Sequence, residues 1–237
     1  AKMIWRDIAR HGASMAESFQ PGLYAVDGID GSGKTSLVTE VTKRLLDEGV
    51  DIRTAPTFFR EEDADFWRTY REAKGSEHDI ICPEIDQLIH SLMFVSVCRG
   101  GLAHVINCSG TEEVGVTMVD RYLLSRIALV RWGSGDTSTG LEQFLVQSVT
   151  SGSLPTPTLS FFLEVDPLLA YERILEQNHG KVTEEKERLH NLEEAAAHYE
   201  TLVRDPNVGA ALNVHKLDGG KSVDELADEV IVLMETQ

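Results

Sequence analysis

An α/β fold in three layers, a central parallel sheet with helices on both faces and a short helical lid, is what this 237-residue sequence predicts. Three observations carry that prediction. Short apolar runs alternate with amphipathic stretches from Leu23 to Met234, the pattern of a parallel sheet covered on both faces. A glycine-rich segment, Gly28–Thr35, separates the first run from the first amphipathic stretch. Asp120-Arg121 closes another run, at the kind of strand end where open parallel sheets bind ligands.

The elements follow in order. Leu23–Asp27 (LYAVD) reads as the first strand, and Ser36–Glu48 as a helix with Leu37, Val41, Leu45 and Leu46 on one face, closed by Gly49. Val50–Ala55 is the next strand, stopped at Pro56. Residues 61–74 and 84–107 read as helices, the second interrupted by Gly100-Gly101. Val114–Asp120 is a buried-type strand, Arg121–Trp132 a helix, Gly133–Gly140 a loop and Leu141–Thr150 another helix. Leu159–Val165 is a strand, and Pro167 opens a helix at the position where proline is tolerated. A polar segment over 176–192 is the lid, 191–204 a helix, Ala211–Leu217 the last strand and Val223–Met234 the closing helix. Residues 1–20 form an N-terminal arm, and 21–237 one domain.

Composition excludes several function classes. The chain is 42% hydrophobic and 26% charged, ordinary globular values that allow a sizeable core. Its net charge of −17 repels polyanions and argues against nucleic acid as partner. Cys82, Cys98 and Cys108 show neither metal-ligand spacing nor a CxxC pair, so reduced cysteines in a cytoplasmic protein are expected. No apolar stretch is long enough to span a membrane.

Gly28-Ile29-Asp30-Gly31-Ser32-Gly33-Lys34-Thr35 fits G-x-x-x-x-G-K-[ST] between a strand and a helix, the context a phosphate-binding P-loop requires. Glycines let successive N–H groups face the phosphates of ATP, and the helix N-terminus at Ser36 adds positive potential. Lys34 reaches the β- and γ-phosphates, and the Thr35 hydroxyl is placed for Mg²⁺. Two lookalikes fail. His215-Lys216-Leu217-Asp218 lacks the Asn of a GTPase base-recognition box, and Gly219-Gly220-Lys221-Ser222 has His215 where a second P-loop needs its leading glycine. Asp120 can organise the metal and Arg121 can clamp a phosphate, which makes Lys34, Asp120 and Arg121 the candidate catalytic set. Glu164 is a further candidate to assist the metal, and Trp132 to line the pocket.

From about Tyr24 to Met234 the sequence resembles the thymidylate kinase family of P-loop nucleoside monophosphate kinases. Five places carry the resemblance: Asp30 within the P-loop; Asp120-Arg121-Tyr122 with Ser125 and Ala128; Leu92-Met93-Phe94; Pro157–Arg173; and Leu217–Leu226. The resemblance implies that Asp30 contacts the acceptor sugar, that Arg121 with Tyr122 holds the acceptor, and that Phe94 stacks on its base. It implies that Asp218 and Gly219 flank adenine, and that the protein forms a homodimer. The acceptor side departs from the pattern. Cys98 stands where the family's base-reading arginine is usual, with Arg99 one residue later. Leu129 and Val130 replace an aromatic and a glutamine, Arg60 is the nearest substitute for an arginine after the second strand, and the lid offers Lys181, Lys186 and Arg188. The expected activity is ATP-dependent phosphorylation of dTMP or a related nucleotide. A nucleoside or specialised acceptor, and a non-catalytic nucleotide binder, are the alternatives.

Overall fold

The computed structural model describes residues 19–56, 91, 115–134, 139–182 and 187–236. The expectations for residues 1–18 and for helices at 61–74 and 84–107 lie outside these residues. So do those for Arg60, Phe94, Cys98, Arg99 and Lys186, for the three cysteines and for the Trp132 side chain. The elements are β1 (Gly22–Asp27), α1 (Lys34–Asp47), β2 (Ile52–Pro56), β3 (Val116–Asp120), α2 (Leu123–Ser134) and α3 (Thr139–Thr150). They continue with β4 (Leu159–Glu164), α4 (Pro167–Gln177), α5 (Leu189–Arg204), α6 (Pro206–Leu212), β5 (Val214–Asp218) and α7 (Val223–Glu235).

The five strands form one sheet in the order β2-β3-β1-β4-β5, with every neighbouring pair parallel. β1 is central, and its alternate residues feed two cores. Tyr24 and Val26 pack with Leu37, Val41 and Leu45 of α1 and with Leu226, Val230 and Met234 of α7. Leu23 and Ala25 belong with Ile127 of α2, Leu145 of α3 and Leu192 and Leu202 of α5. Burying each such side chain contributes about 1.5–3 kcal/mol, which explains why central β1 carries apolar residues on both faces. Parallel alignment places every strand's carboxyl end on one edge. There Asp27, Asp120, Glu164 and Asp218 end four of the strands.

The architecture matches the expected fold, with local corrections. Leu46 was expected on the buried face of α1 and is 54% exposed, because it lies one residue beyond the 37–41–45 stripe. The expected loop 133–140 is shorter at both ends, since α2 continues to Ser134 and α3 begins at Thr139. The last strand was expected from Ala211. Instead Asp205 caps a further helix, α6, by accepting from the Asn207 N–H at 2.9 Å, with Pro206 in its first turn. Asn213, at φ 46°, then turns the chain into β5. No helix among the described residues is long and apolar enough to cross a membrane.

α7 begins with a capping box. The Ser222 hydroxyl accepts from the Glu225 N–H at 3.3 Å, and the Glu225 carboxylate accepts from the Ser222 N–H at 3.0 Å. The hydroxyl and N–H of Ser222 hold the Glu225 carboxyl below its usual range. Ser222→Ala should lower unfolding free energy by about 1 kcal/mol near neutral pH, measured as a shift in the urea midpoint. Because the folded-state pKa is depressed, the carboxylate's share of the cap is present above the ordinary value of 4.5 and lost as pH falls below it. The gap between variant and wild type should therefore narrow in acid.

Candidate active site

The site is built where β1 and β3 end side by side, with Val26 in register with Asp120. From β1 the chain turns through the glycine loop. Gly31 has φ 76° and Gly33 φ 95°, both in the left-handed region. At Gly31 space is limiting as well, because a Cβ there would collide with the Ala170 carbonyl of α4. α1 starts directly at Lys34, and the Leu37 N–H donates to the Gly33 carbonyl at 3.0 Å. The first-turn amides of α1 therefore open toward the loop, as an anion cradle requires.

Lys34 is 5% exposed and folds into the loop. Its amine donates to the Ile29 carbonyl at 2.6 Å and the Ser32 hydroxyl at 3.2 Å. A cation is thus held in the curl of the loop. Across the sheet, the Thr35 hydroxyl donates to Asp120 Oδ2 at 2.5 Å. The two residues expected to organise a metal are 85 positions apart in sequence and touch in space. A hydroxyl and a carboxylate make a hard, all-oxygen pair suited to Mg²⁺, which keeps waters and phosphate oxygens as its other ligands. Among the described residues there is no group of three or more His, Cys, Asp or Glu able to hold a metal by itself.

The acceptor side is built on Arg121, which has φ 71° and donates its backbone N–H to the Val26 carbonyl at 2.8 Å. Its guanidinium forms an ion pair with Asp30 and approaches the Gly28 carbonyl at 3.4 Å. Motifs far apart in sequence therefore meet as a charge pair beside the phosphate loop. Asp30 and Arg121 line a cavity with Ile29, Leu129, Asn191 and Tyr199.

Other candidates fall elsewhere. Tyr122 is 1% exposed and donates its hydroxyl to the Pro155 carbonyl at 2.8 Å, so its side chain is part of the core. Val130 is also fully buried, while Leu129 reaches the cavity. Glu164 is paired with Lys216 at 2.7 Å on the exposed flank of the β4–β5 pair, not with Thr35 and Asp120. Asp218 and Gly219 form a turn tied to the end of β4, the Gly219 N–H donating to the Glu164 carbonyl at 2.7 Å. Arg173 of α4 supports it by donating to the Gly219 carbonyl at 2.9 Å. Lys181 and Arg188 are exposed within the expected lid segment. Ser36 is exposed in the first turn of α1.

Sequence reasoning missed Asp27, Tyr199, Asn191 and Arg173. Asp27 had one legible signal: an acid closing an apolar strand buried on both faces must be compensated. Asp27 Oδ1 accepts from the N–H groups of Tyr122 and Ser125, each at 2.9 Å, and from the Ser125 hydroxyl at 2.5 Å. Burial pushes its carboxyl above the usual range, opposed by these donors and by the charge of Arg121. Tyr199 of α5 stacks on Phe162, its ring centroid 5.3 Å away, and its hydroxyl reaches Ser125 Oγ at 2.8 Å and the Gly28 carbonyl at 3.2 Å. Burial raises the Tyr199 phenol above its ordinary range, so it acts as a neutral donor.

No protein-family model matches the chain. A thymidylate kinase of Leptospira interrogans is 24% identical over 222 residues, 92% of this chain and 95% of the relative. A probable thymidylate kinase of Pyrobaculum calidifontis is 28% identical over 214 residues, 89% and 94% of the two chains. Among solved structures, a deoxyadenosine kinase from M. mycoides, with the products dCMP and dCDP bound, superposes with a TM-score of 0.59 at 16% identity. That match covers 91% of this chain and 100% of the other. With a P-loop whose threonine meets a strand-end aspartate, and with relatives along nearly its whole length, this chain is a thymidylate kinase-like, ATP-dependent P-loop kinase.

Proposed function

We propose that the protein transfers the γ-phosphoryl group of ATP to dTMP or a closely related nucleoside monophosphate, giving ADP and the nucleoside diphosphate. The observation that carries this reading is the Asp30–Arg121 pair. It puts a guanidinium able to bind a phosphate, and a carboxylate able to accept from a sugar hydroxyl, in one cavity next to the donor loop. The names of the curated relatives support thymidylate as the acceptor.

Phosphoryl transfer asks the protein chiefly for positioning and for positive charge around the transferring group. Gly28–Thr35 would cradle the phosphates of ATP, with Lys34 exchanging its loop contacts for β- and γ-phosphate oxygens. Mg²⁺, held by Thr35 and Asp120, would supply charge neutralisation on those oxygens. Arg121 would release Asp30 and hold the acceptor's phosphate in line. The freed carboxylate would then face the sugar. Lys181, Lys186 and Arg188 would close with the lid over 176–192 and exclude water. Phe94 would stack on the base, with Arg99 and Arg60 as further contacts to the acceptor. The turn at Asp218-Gly219, braced by Arg173, would lie along adenine. A homodimer in the cytoplasm is the setting that the resemblance implies.

Leu129 favours a second reading of the acceptor. An apolar side chain there offers the base no hydrogen bond, and a buried polar group left unpaired costs about 1–3 kcal/mol. A nucleoside acceptor would also fit a cavity in which Arg121 already has a carboxylate partner. ADP release should be screened with dTMP, dUMP, dCMP, UMP, thymidine and other nucleosides. Turnover on nucleoside monophosphates, led by dTMP, is expected. Turnover on nucleosides alone would overturn the reading in favour of the second. On the preferred monophosphate, Arg121→Ala should raise acceptor KM by about a hundredfold and leave ATP affinity nearly unchanged. Lys34→Ala should lower kcat by at least about a hundredfold, while circular dichroism stays that of the wild type. Normal turnover in that variant would remove Lys34 from the chemistry.

A further inference from the structure

Beneath the candidate active site lies a carboxylate that touches neither substrate position. Asp27 is 0% exposed at the end of β1 and collects its three hydrogen bonds on Oδ1. Two of the donors are main-chain N–H groups at the start of α2, amides that a helix cannot satisfy from within. Asp27 therefore caps α2 from a neighbouring strand, with the negative charge that a helix N-terminus favours. Its Oδ2 has no hydrogen-bond partner among the described residues. Ser125 Oγ donates to Asp27 and lies 2.8 Å from the Tyr199 hydroxyl, so α5 is joined to the same cap.

Arg121 stands immediately before the capped turn, in a left-handed conformation that residues with a side chain rarely adopt. Its own N–H is fixed to Val26, and the next residue's N–H is fixed to Asp27. Strain of this kind persists only where the surroundings over-determine it. Here consecutive amides are held by consecutive residues of β1.

We propose that Asp27 is a positioning residue for the acceptor phosphate: by capping α2 it holds Arg121 in the backbone conformation that directs its guanidinium to the phosphate loop. The proposal rests on the reading that Arg121 holds that phosphate. Asp27 acts through Arg121 and touches no substrate. A cap that served stability alone would lower the melting temperature without separating the two substrates.

The test uses the full chain with Asp27→Asn, which keeps the shape and one accepting oxygen but removes the charge. Ser125→Ala, which deletes one donor, and Tyr199→Phe, which keeps the stack on Phe162, serve as milder variants. Acceptor KM should rise about tenfold or more in Asp27→Asn and severalfold in the milder pair. The dissociation constant of a fluorescent ATP analogue should stay within about threefold of wild type. The ¹⁵Nε signal of Arg121, assigned by its loss in Arg121→Lys, should move in Asp27→Asn without any substrate present. Should Asp27→Asn fail to fold, Ser125→Ala and Tyr199→Phe carry the same readouts. An unchanged acceptor KM, or acceptor and ATP affinities falling together, would overturn the proposal. If wild type turns over no monophosphate, the acceptor reading fails instead. The Arg121 signal then decides alone, and a signal unmoved in Asp27→Asn would sink the positioning role.

Discussion

The pairing of β1 with β3 is the constraint on which the rest of the site depends. Neither strand carries a complete function. β1 delivers the glycine loop, with Asp30 and Lys34 inside it, and β3 delivers Asp120 and Arg121. Only the parallel register, with Val26 opposite Asp120, sets Thr35 against Asp120 and Asp30 against Arg121. The register is in turn fixed by burial. A slip of one residue would turn Tyr24 and Val26 away from α1 and α7 and force Leu23 and Ala25 into their place, on both faces of a fully covered strand. The chemistry is thus aligned by apolar packing that takes no part in it.

Legibility in the sequence followed the same division. The P-loop could be read outright because its parts are contiguous and its flanking strand and helix are strongly patterned. The strand-end Asp120-Arg121 could be read because parallel sheets place ligands at such ends. Asp27, Ser125 and Tyr199 could not be assembled from the sequence, since the bonds that join them span 98 and 74 positions. Tyr122 shows the opposite failure. It follows Arg121, which lines the cavity, yet its own side chain lies in the core, where its hydroxyl finds the Pro155 carbonyl. Residue α6 boundaries were lost for a smaller reason: Ala211-Leu212 reads equally well as a strand start or a helix end, and only the Asp205-Pro206 cap separates the two.

The acidity of the chain raises a question about how it attracts phosphates at all. With a net charge of −17, the average field repels every substrate proposed for it. Three of the four acids that end strands at the binding edge are used or offset locally. Asp120 holds the Thr35 hydroxyl and is available to a metal, Glu164 is paired with Lys216, and Asp27 is sealed beneath the loop by amides. Attraction therefore has to come from close range, from the amides of the loop, from Lys34 and Arg121, and from a metal that travels with the nucleotide.

That arrangement sets a requirement for the two cations of the site. A guanidinium and an amine, both largely withdrawn from water, need partners before any phosphate arrives, because an unpaired buried charge is strongly unfavourable. Lys34 meets the requirement with a carbonyl and a hydroxyl of its own loop, and Arg121 with Asp30. These partners differ in what happens when a phosphate comes. The loop carbonyl and hydroxyl are neutral and can be exchanged for phosphate oxygens at little electrostatic cost. Asp30 is charged, so displacing it from Arg121 leaves a carboxylate beside an anion unless something donates to it. A sugar hydroxyl is such a donor, and an acceptor carrying phosphate and hydroxyl at the right separation satisfies both halves of the broken pair at once. An isolated phosphate satisfies only one. On the proposed reading of Arg121 and Asp30, discrimination for a nucleotide over inorganic phosphate is therefore built into the ion pair itself, before any residue reads the base.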